Sequence, residues 1–406
     1  MSLVVHKYGG TSVGSIERIE AVAERIVGSR SKGNQVVVVV SAMSGETNRL
    51  TALAHDITDR PSPREMDVLL ASGEQVSIAL LVMALQKRCV DAQSFLGDQI
   101  PFKTDSGHER ARIEYVEPKN LLDVIERGAV PVVAGFQGVD DVGDITTIGR
   151  GGSDTSAVAI AHALKAQECL IYTDVDGVYT ADPRIVDRAT KMVNVEFEEM
   201  LEMASLGAKV LHTRAVEFAH KHDVPMRVLS SFEDGEGTLI NSGADHMEKP
   251  MVSAVTHERD EAKLTVLRVD DVPGIAWKIL GPIGEANITV DMIVQNTSVD
   301  GFTDFSFTVK RADFVRAKEL LERSLQENGF DESTIAGDDA IAKVTIVGVG
   351  MRSHAGVATK MFETLANENI NIMMISTSEI KISVVIDERY VELAVRSLHD
   401  AFALDE

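Results

Sequence analysis

Residues 3–12 read LVVHKYGGTS, and the architecture of the amino-terminal half follows from this segment. Leu3–Lys7 is a short apolar run that leads into the glycine pair Gly9-Gly10, the pattern of a strand feeding a tight turn. Working outward, apolar residues recur at helical spacing (Ile16, Ile19, Val22, Ala23, Ile26, Val27), and Ser15 stands ready to cap that helix. Val36–Val40 is five consecutive valines. A run without polar alternation suits a central strand covered on both faces. Met66–Leu85 reads as helix, and Val130–Ala134 and Leu170–Thr173 read as further buried strands. Strand, loop and helix in repetition predict an α/β unit with a mostly parallel sheet.

The chain has 406 residues, which at roughly 150 per domain predicts two or three domains. It is 44% hydrophobic and 25% charged, so wholesale disorder is excluded. Forty basic against 63 acidic residues, net −23, argue against a nucleic-acid backbone or an anionic membrane as main partner. Cys89 and Cys169 cannot build a disulfide framework, and no Cys or His spacing suggests a metal. The opening residues lack signal-peptide features, and apolar runs such as Ser77–Leu85 fall far short of the roughly 20 residues that span a bilayer. A cytoplasmic location is expected.

The pattern breaks at 233–250, EDGEGTLINSGADHMEKP, whose Gly, Asp and Glu read as a linker. Beyond it lies an internal repeat: residues 264–296 match 344–378. Gly274 to Asn287 and Gly356 to Asn369 are the same step, an amphipathic helix closing on an Asn-Ile strand. Strands Thr303–Val309 and Ile380–Ile386 and helices Asp313–Gln326 and Tyr390–Phe402 complete a βαββα order with room for a final strand, a ferredoxin-like module. Two such copies are expected to pack on each other. The predicted domains are 1–232, a linker at 233–260, and modules at 261–335 and 340–406.

Three motifs carry chemistry. Lys7-Tyr8-Gly9-Gly10 is a strand, a glycine turn and a helix start, which together can cradle phosphate. Alone, a Gly-Gly turn is usually only a tight turn. GRGGSD at 149–154 combines three glycines for close backbone approach, Arg150 for a carboxylate, and Ser153 or Asp154 as helix cap. YTDVDGVYTADPR at 172–184 follows a predicted strand, so it lies at the carboxyl edge of the sheet, where open α/β sheets bind ligands. No Gly-x-Gly-x-x-Gly opens a helix, so a nicotinamide fold has little support. The scattered histidines read as surface or satisfied core residues.

These motifs, with SAMSGETN at 41–48 and SGE at 72–74, resemble the aspartate kinases, members of the amino-acid kinases, in order and over the whole chain. His6 departs from the residue expected before the lysine. The repeat resembles two ACT domains. The resemblance implies an amino-acid-kinase sheet sandwiched by helices, followed by two ferredoxin-like ACT modules. It implies transfer of the γ-phosphate of ATP, with Mg²⁺, to the β-carboxylate of L-aspartate, the first step toward lysine, threonine, methionine and diaminopimelate. It assigns catalysis to Lys7 and Asp154. ATP falls to Lys7, Gly9, Gly10, Ser41, Thr173, Asp174, Tyr179, Asp182, Arg184 and Lys209. Aspartate falls to Thr47, Glu74, Arg150, Gly152 and Ser153, with Arg150 on the α-carboxylate and Glu74 on the ammonium. The rival readings are another amino-acid kinase of glutamate type, and an inactive amino-acid sensor.

For the repeat, the resemblance implies feedback inhibition by lysine, threonine or both. The effector positions are Asp271, Gly274, Ile275, Ala276, Val290, Asp291 and Gln295 in the first copy, and Val357, Ala358, Asn371 and Ile372 in the second. Asp271 or Asp291 is expected to attract a lysine side chain. It also implies a homo-oligomer through the ACT domains, and in some relatives a separately translated regulatory subunit, for which Met247 and Met251 are candidate starts.

Overall fold

The computed structural model describes residues 2–207, 210–243, 251–297, 301–327 and 334–405. It comprises two units: Met1–Tyr179 with Lys191–Met247, and Thr180–Thr190 with Glu248–Glu406.

In the first unit the chain runs β1 (Leu3–Tyr8), α1 (Ile16–Ser31), β2 (Gln35–Val40), α2 (Glu46–Ile57), α3 (Pro63–Lys87), β3 (Ala92–Phe95), β4 (Phe102–Thr104), β5 (Ile113–Val116) and α4 (Lys119–Glu126). It continues through β6 (Val130–Ala134), β7 (Gln137–Val139), β8 (Ile145–Thr147), α5 (Gly152–Leu164), β9 (Glu168–Thr173), β10 (Asn194–Glu196), α6 (Phe197–Ser205), α7 (Thr213–His222), β11 (Met226–Ser230) and β12 (Thr238–Asn241). The main sheet has the order β10-β12-β11-β9-β1-β2-β6-β3 and is parallel except where β12 meets β11. Val37–Val40 of the valine run are fully buried, as a strand between two neighbours and two helical layers requires. A small second sheet, β5-β4-β7-β8, comes from strands of three or four residues that carry no readable alternation.

Strand β1 lies between β2 and β9, and Tyr8 pairs with Val40 on one side and Tyr172 on the other. The carboxyl ends of three strands therefore coincide where strand order turns outward in both directions, the crevice in which open α/β sheets hold ligands. The Ser15 hydroxyl accepts the Arg18 N–H, starting α1 there. Helix α3 extends the expected Met66–Leu85 helix to 25 residues and is, by length and composition, apolar enough to cross a membrane, which the short run Ser77–Leu85 taken alone did not suggest. It lies instead against α1, β3 and β6 and buries the carboxyls of Asp67 and Glu74, the work of a core helix.

The second unit runs β13 (Ala254–Asp270), α8 (Ile275–Glu285), β14 (Val290–Thr297), β15 (Phe302–Val309), α9 (Phe314–Glu327), β16 (Thr334–Val347), α10 (Val357–Asn367), β17 (Met374–Thr377), β18 (Lys381–Asp387) and α11 (Val391–Ala401). Its six-stranded sheet has the order β14-β15-β13-β16-β18-β17. The long strands β13 and β16 pair along their lengths, with register shifts between Glu258 and Lys263. Each strand serves both modules. The second half of β13 pairs with β15 and the second half of β16 with β18, so each module's final strand is the first half of the other's opening strand.

Two differences from the sequence reading follow. The stretch 233–260 is not all linker, because it contains β12 and the start of β13; its Gly, Asp and Glu density masked both strands. Asn287 and Asn369 do not open strands. Both sit at φ +57 just past α8 and α10, the left-handed helix stop that asparagine tolerates, and β14 and β17 begin later. The segment Thr180–Thr190 packs wholly with the second unit. Ala181 and Val186 share a core with Leu398 of α11, Thr180 Oγ1 lies 3.0 Å from His399 Nε2, and Arg188 pairs with Asp400 (2.6 Å) and Asp405 (2.8 Å).

Candidate active site

A cavity of about 850 Å³ opens at the carboxyl edge of the first unit's sheet. Of the expected site residues, Lys7, Gly10, Ser41, Thr47, Glu74, Arg150, Gly152, Ser153 and Asp154 line it. Lys7 comes from the end of β1, and its Nζ stands 2.5 Å from Asp154 Oδ1. Both side chains are mostly buried, so solvent screens the pair weakly. A Cβ at Gly9 would stand 3.5 Å from Lys7 Nζ, which places the ammonium beneath the glycine turn. A Cβ at Gly10 would meet the Ala42 carbonyl at 2.8 Å, so only glycine lets this turn approach the Ser41–Gly45 loop. The Gly9 N–H donates to the Tyr172 carbonyl at 3.3 Å.

The GRGG junction explains its three glycines one by one. A Cβ on Gly149 would meet the Glu109 carbonyl (2.9 Å), on Gly151 the His212 ring (2.2 Å to Cγ), and on Gly152 the Phe136 ring (2.8 Å). Gly149 and Gly151 also adopt φ +84 and +70. Gly151 is the N-cap of α5, so neither Ser153 nor Asp154 caps it; both lie in its first turn. There the Asp154 carboxylate gains from the positive end of the helix dipole. Phe136 (φ +68) and Glu109 (φ +64) flank the junction in the left-handed region, where a residue other than glycine stays only with support.

Glu74 is buried on α3. Its Oε1 accepts the Ala42 N–H at 3.0 Å, whereas its Oε2 has no hydrogen-bond partner among the described residues. Burial pushes its pKa up to about 7. Such an acid becomes a full carboxylate when a cation arrives beside it. Arg150 is exposed to the cavity and, among the described residues, has no ion-pair partner. The cavity thus pairs one buried ammonium with one unengaged carboxylate oxygen and a free guanidinium.

Several lining residues escaped the sequence reading. Glu109 and Arg110 come from the β4–β5 loop, Phe136 follows β6, and His212 and Arg214 precede and open α7. Arg214 donates to the Ile148 and Ala111 carbonyls at 2.6 and 2.7 Å, fastening the strand before GRGG. His212 was read with the surface and core histidines; it lines the cavity instead, because Gly151 lets its ring in. The one available signal was the charge density of TDSGHERAR at 104–112. His6 is a core histidine: its Nδ1 lies 3.2 Å from Tyr8 Oη, and burial lowers its pKa to about 3.

The remaining assignments lie elsewhere. Thr173 ends β9 and Asp174 follows it, at the same sheet edge but outside the cavity lining, with the Thr173 hydroxyl donating to Asp174 at 3.1 Å. Tyr179 donates to Asp176 (2.9 Å), which also pairs with Lys191 (3.0 Å). Asp182 and Arg184 belong to the second unit and grip each other bidentately at 3.0 and 2.8 Å. Lys209 lies outside the described residues, as does Met247. Among the described residues, no group of three or more His, Cys, Asp or Glu is arranged to hold a metal.

In the second unit, Gly274 and Gly356 are the N-caps of α8 and α10, both at φ +93 with open space where a Cβ would point. Ile275, Ala276, Val357 and Ala358 follow in the first turns, with Ile275 and Val357 buried. Val290, Asp291 and Gln295 lie on β14, and Asn371 and Ile372 just precede β17. Asp271 is exposed, its N–H donating to the Gly301 carbonyl at 2.9 Å. Asp291 already pairs with Lys343, a buried lysine on β16 that also faces Glu261 at 3.6 Å. Any effector cation drawn to Asp291 therefore competes with an internal one.

Comparison with known proteins supports this architecture. The amino acid kinase family model matches residues 2–230, and ACT domain models match 263–325 and 344–402. An aspartate kinase of Pseudomonas putida is 60% identical over 406 residues, covering all of this chain and 98% of that one. An aspartokinase of Helicobacter pylori is 50% identical over 408 residues, covering all of both. The crystal structure of E. coli aspartokinase III with aspartate and ADP, an R-state, aligns with TM-score 0.80 at 27% identity over 98% of this chain and 99% of that one. The same enzyme with lysine and aspartate, a T-state, gives 0.79 at 28% identity over the same shares. The chain belongs to the aspartate kinase family: it is an ATP-dependent phosphotransferase of amino-acid-kinase fold followed by a pair of ACT domains.

Proposed function

We propose that the first unit's cavity transfers the γ-phosphate of ATP to the β-carboxylate of L-aspartate, giving 4-phospho-L-aspartate, and that lysine, threonine or both inhibit it through the ACT domains. The observation that carries this reading is the meeting of the Lys7–Asp154 pair, the open Glu74 oxygen and the free Arg150 guanidinium in one cavity. An ionised carboxylate is already a nucleophile, so the reaction needs no general base. It needs alignment and positive charge where the transferring group spreads its negative charge. Lys7 supplies that charge beneath the glycine turn, and Asp154 orients it. Arg150 holds the α-carboxylate and Glu74 the ammonium of the acceptor, so only the side-chain carboxylate is left to react. Magnesium suits a site of this kind as a passenger on the nucleotide's phosphates rather than in a protein cage.

The same reading covers the assembly. Ile293 and Ile375 occupy equivalent repeat positions on β14 and β17, the two free edges of the six-stranded sheet, and both are exposed. Exposed apolar edge strands are templates for pairing with another chain, which supports a homo-oligomer through the ACT domains. Met251 precedes β13, so a chain started there would retain the entire six-stranded sheet and lose Thr180–Thr190. A cytoplasmic enzyme completes the proposal.

The test is coupled ADP release with ATP and a panel of acceptors, with lysine and threonine added separately and together. Turnover with aspartate, none with glutamate, and inhibition by one or both effectors are expected. Preference for glutamate, or no ADP release, would replace this reading.

A further inference from the structure

The loop Asp105–Arg112 joins β4 to β5 in the first unit, and none of the motifs above includes it. Its Glu109 and Arg110 face the same cavity as Lys7, Glu74 and Arg150. The loop is fastened from two sides. Asp67, fully buried on α3, accepts the Glu109 N–H at 3.0 and 3.2 Å and the Thr147 hydroxyl at 2.5 Å, and lies 2.7 Å from His108 Nδ1. Arg214 holds the Ala111 carbonyl from the other side. These bonds keep Glu109 at φ +64, with its carbonyl against Gly149. Committing a buried carboxylate to a surface loop is costly unless the loop must be held in place. What the fastened backbone presents at the cavity is Arg110. Among the described residues its guanidinium, like that of Arg150, has no ion-pair partner. Two unpaired guanidinium groups and one carboxylate with an open oxygen are the complement of a molecule with two carboxylates and one ammonium.

We propose that Arg110 binds the side-chain carboxylate of the acceptor, holding one oxygen so that the other faces the γ-phosphorus, while Arg150 takes the α-carboxylate. This assignment rests on the acceptor chemistry proposed above. In the transfer, the unheld carboxylate oxygen forms the new O–P bond while the bond from the γ-phosphorus to its bridging oxygen breaks. The bonding pair leaves with ADP, and no proton moves. A guanidinium bonds a carboxylate better than an amide of the same shape, so Arg110 also separates aspartate from asparagine.

Steady-state kinetics on wild type, Arg110→Gln and Arg110→Lys test this, with asparagine as an inhibitor competing with aspartate. Arg110→Gln is expected to raise the aspartate KM at least tenfold, to leave the ATP KM within twofold, and to leave the asparagine Ki within threefold. Arg110→Lys recovers part of the aspartate affinity, and neither variant moves the Tm, since the side chain is exposed. An aspartate KM within twofold of wild type would overturn the assignment. So would an equal rise in the ATP KM, or an asparagine Ki that rises in step with the aspartate KM. Absence of wild-type turnover with aspartate removes the acceptor reading itself, whereas normal turnover by both Arg110→Gln and wild type removes only the role of Arg110.

Discussion

Lys7 and Glu74 show how single residues acquire function from their surroundings. Lys7 is a cation held within 2.5 Å of a carboxylate under a turn of glycines, where water cannot screen it well. Lys7→Ala removes charge needed only as the phosphoryl group moves. It is expected to lower kcat by about 10²–10³, the usual loss for one charge-stabilising donor, with a smaller change in aspartate KM. Stopped-flow or coupled-assay kcat measures this, and an unchanged kcat would take Lys7 out of the chemistry. Glu74 carries a pH dependence whose sign is set by burial. Burial raises its pKa to about 7, so it is increasingly protonated below that pH and cannot then hold an ammonium. The aspartate KM is therefore expected to rise as pH falls from 7.5 to 6, approaching tenfold per unit at the lower end. In Glu74→Gln the KM is higher throughout and its pH slope over this window is flat. A wild-type KM that stays level across the window would contradict the role of Glu74.

Elements decide which residues meet. Helix α5 starts on Gly151, whose positive φ and missing side chain admit His212. Gly151→Ala combines a disfavoured backbone conformation with a contact 2.2 Å from the His212 ring. A loss of stability of about 2 kcal/mol or more is expected from urea unfolding. Activity should fall with it, because the same junction carries Arg150 and Asp154. The segment Thr180–Thr190 makes a different point. It continues the motif that begins at Tyr172, yet its apolar residues are buried with α11. Hydrogen exchange should find its amides protected in parallel with those of α11 and released when α11 is destabilised. Protection that follows β9 instead would show that the segment belongs with the first unit.

At the scale of the molecule, the shared strands β13 and β16 make the two ACT modules one structural body. Leu264 is fully buried on the half of β13 that serves the first module. Leu264→Ala leaves a cavity worth about 2–5 kcal/mol. Because each module borrows a strand from the other, hydrogen exchange should quicken in β18 and α11 as well as in β14 and β15. Faster exchange confined to the first module would mean that the modules fold independently.

How much of this could be read before folding varies by residue type. The valine run, the helical periodicity after Ser15 and the thirteen-residue step of the repeat are local patterns, and local patterns follow from backbone sterics and burial alone. They determined the α/β unit, the paired modules and, with the glycine turns, the half of the site that lies in contiguous motifs. Tertiary structure alone decided the rest. The strands of three or four residues between 102 and 147 are too short to show a period, yet they bring Arg110 and Phe136 to the cavity. Asp182 and Arg184 sit in a motif that suggests a ligand, but they turn to each other because burial of Ala181 and Val186 carries that stretch into another core. Asp291 reads as a free acid and is neutralised by Lys343, more than fifty residues away. Charge pairing and burial depend on which distant groups arrive at a point in space, and no run of neighbouring residues encodes that distance.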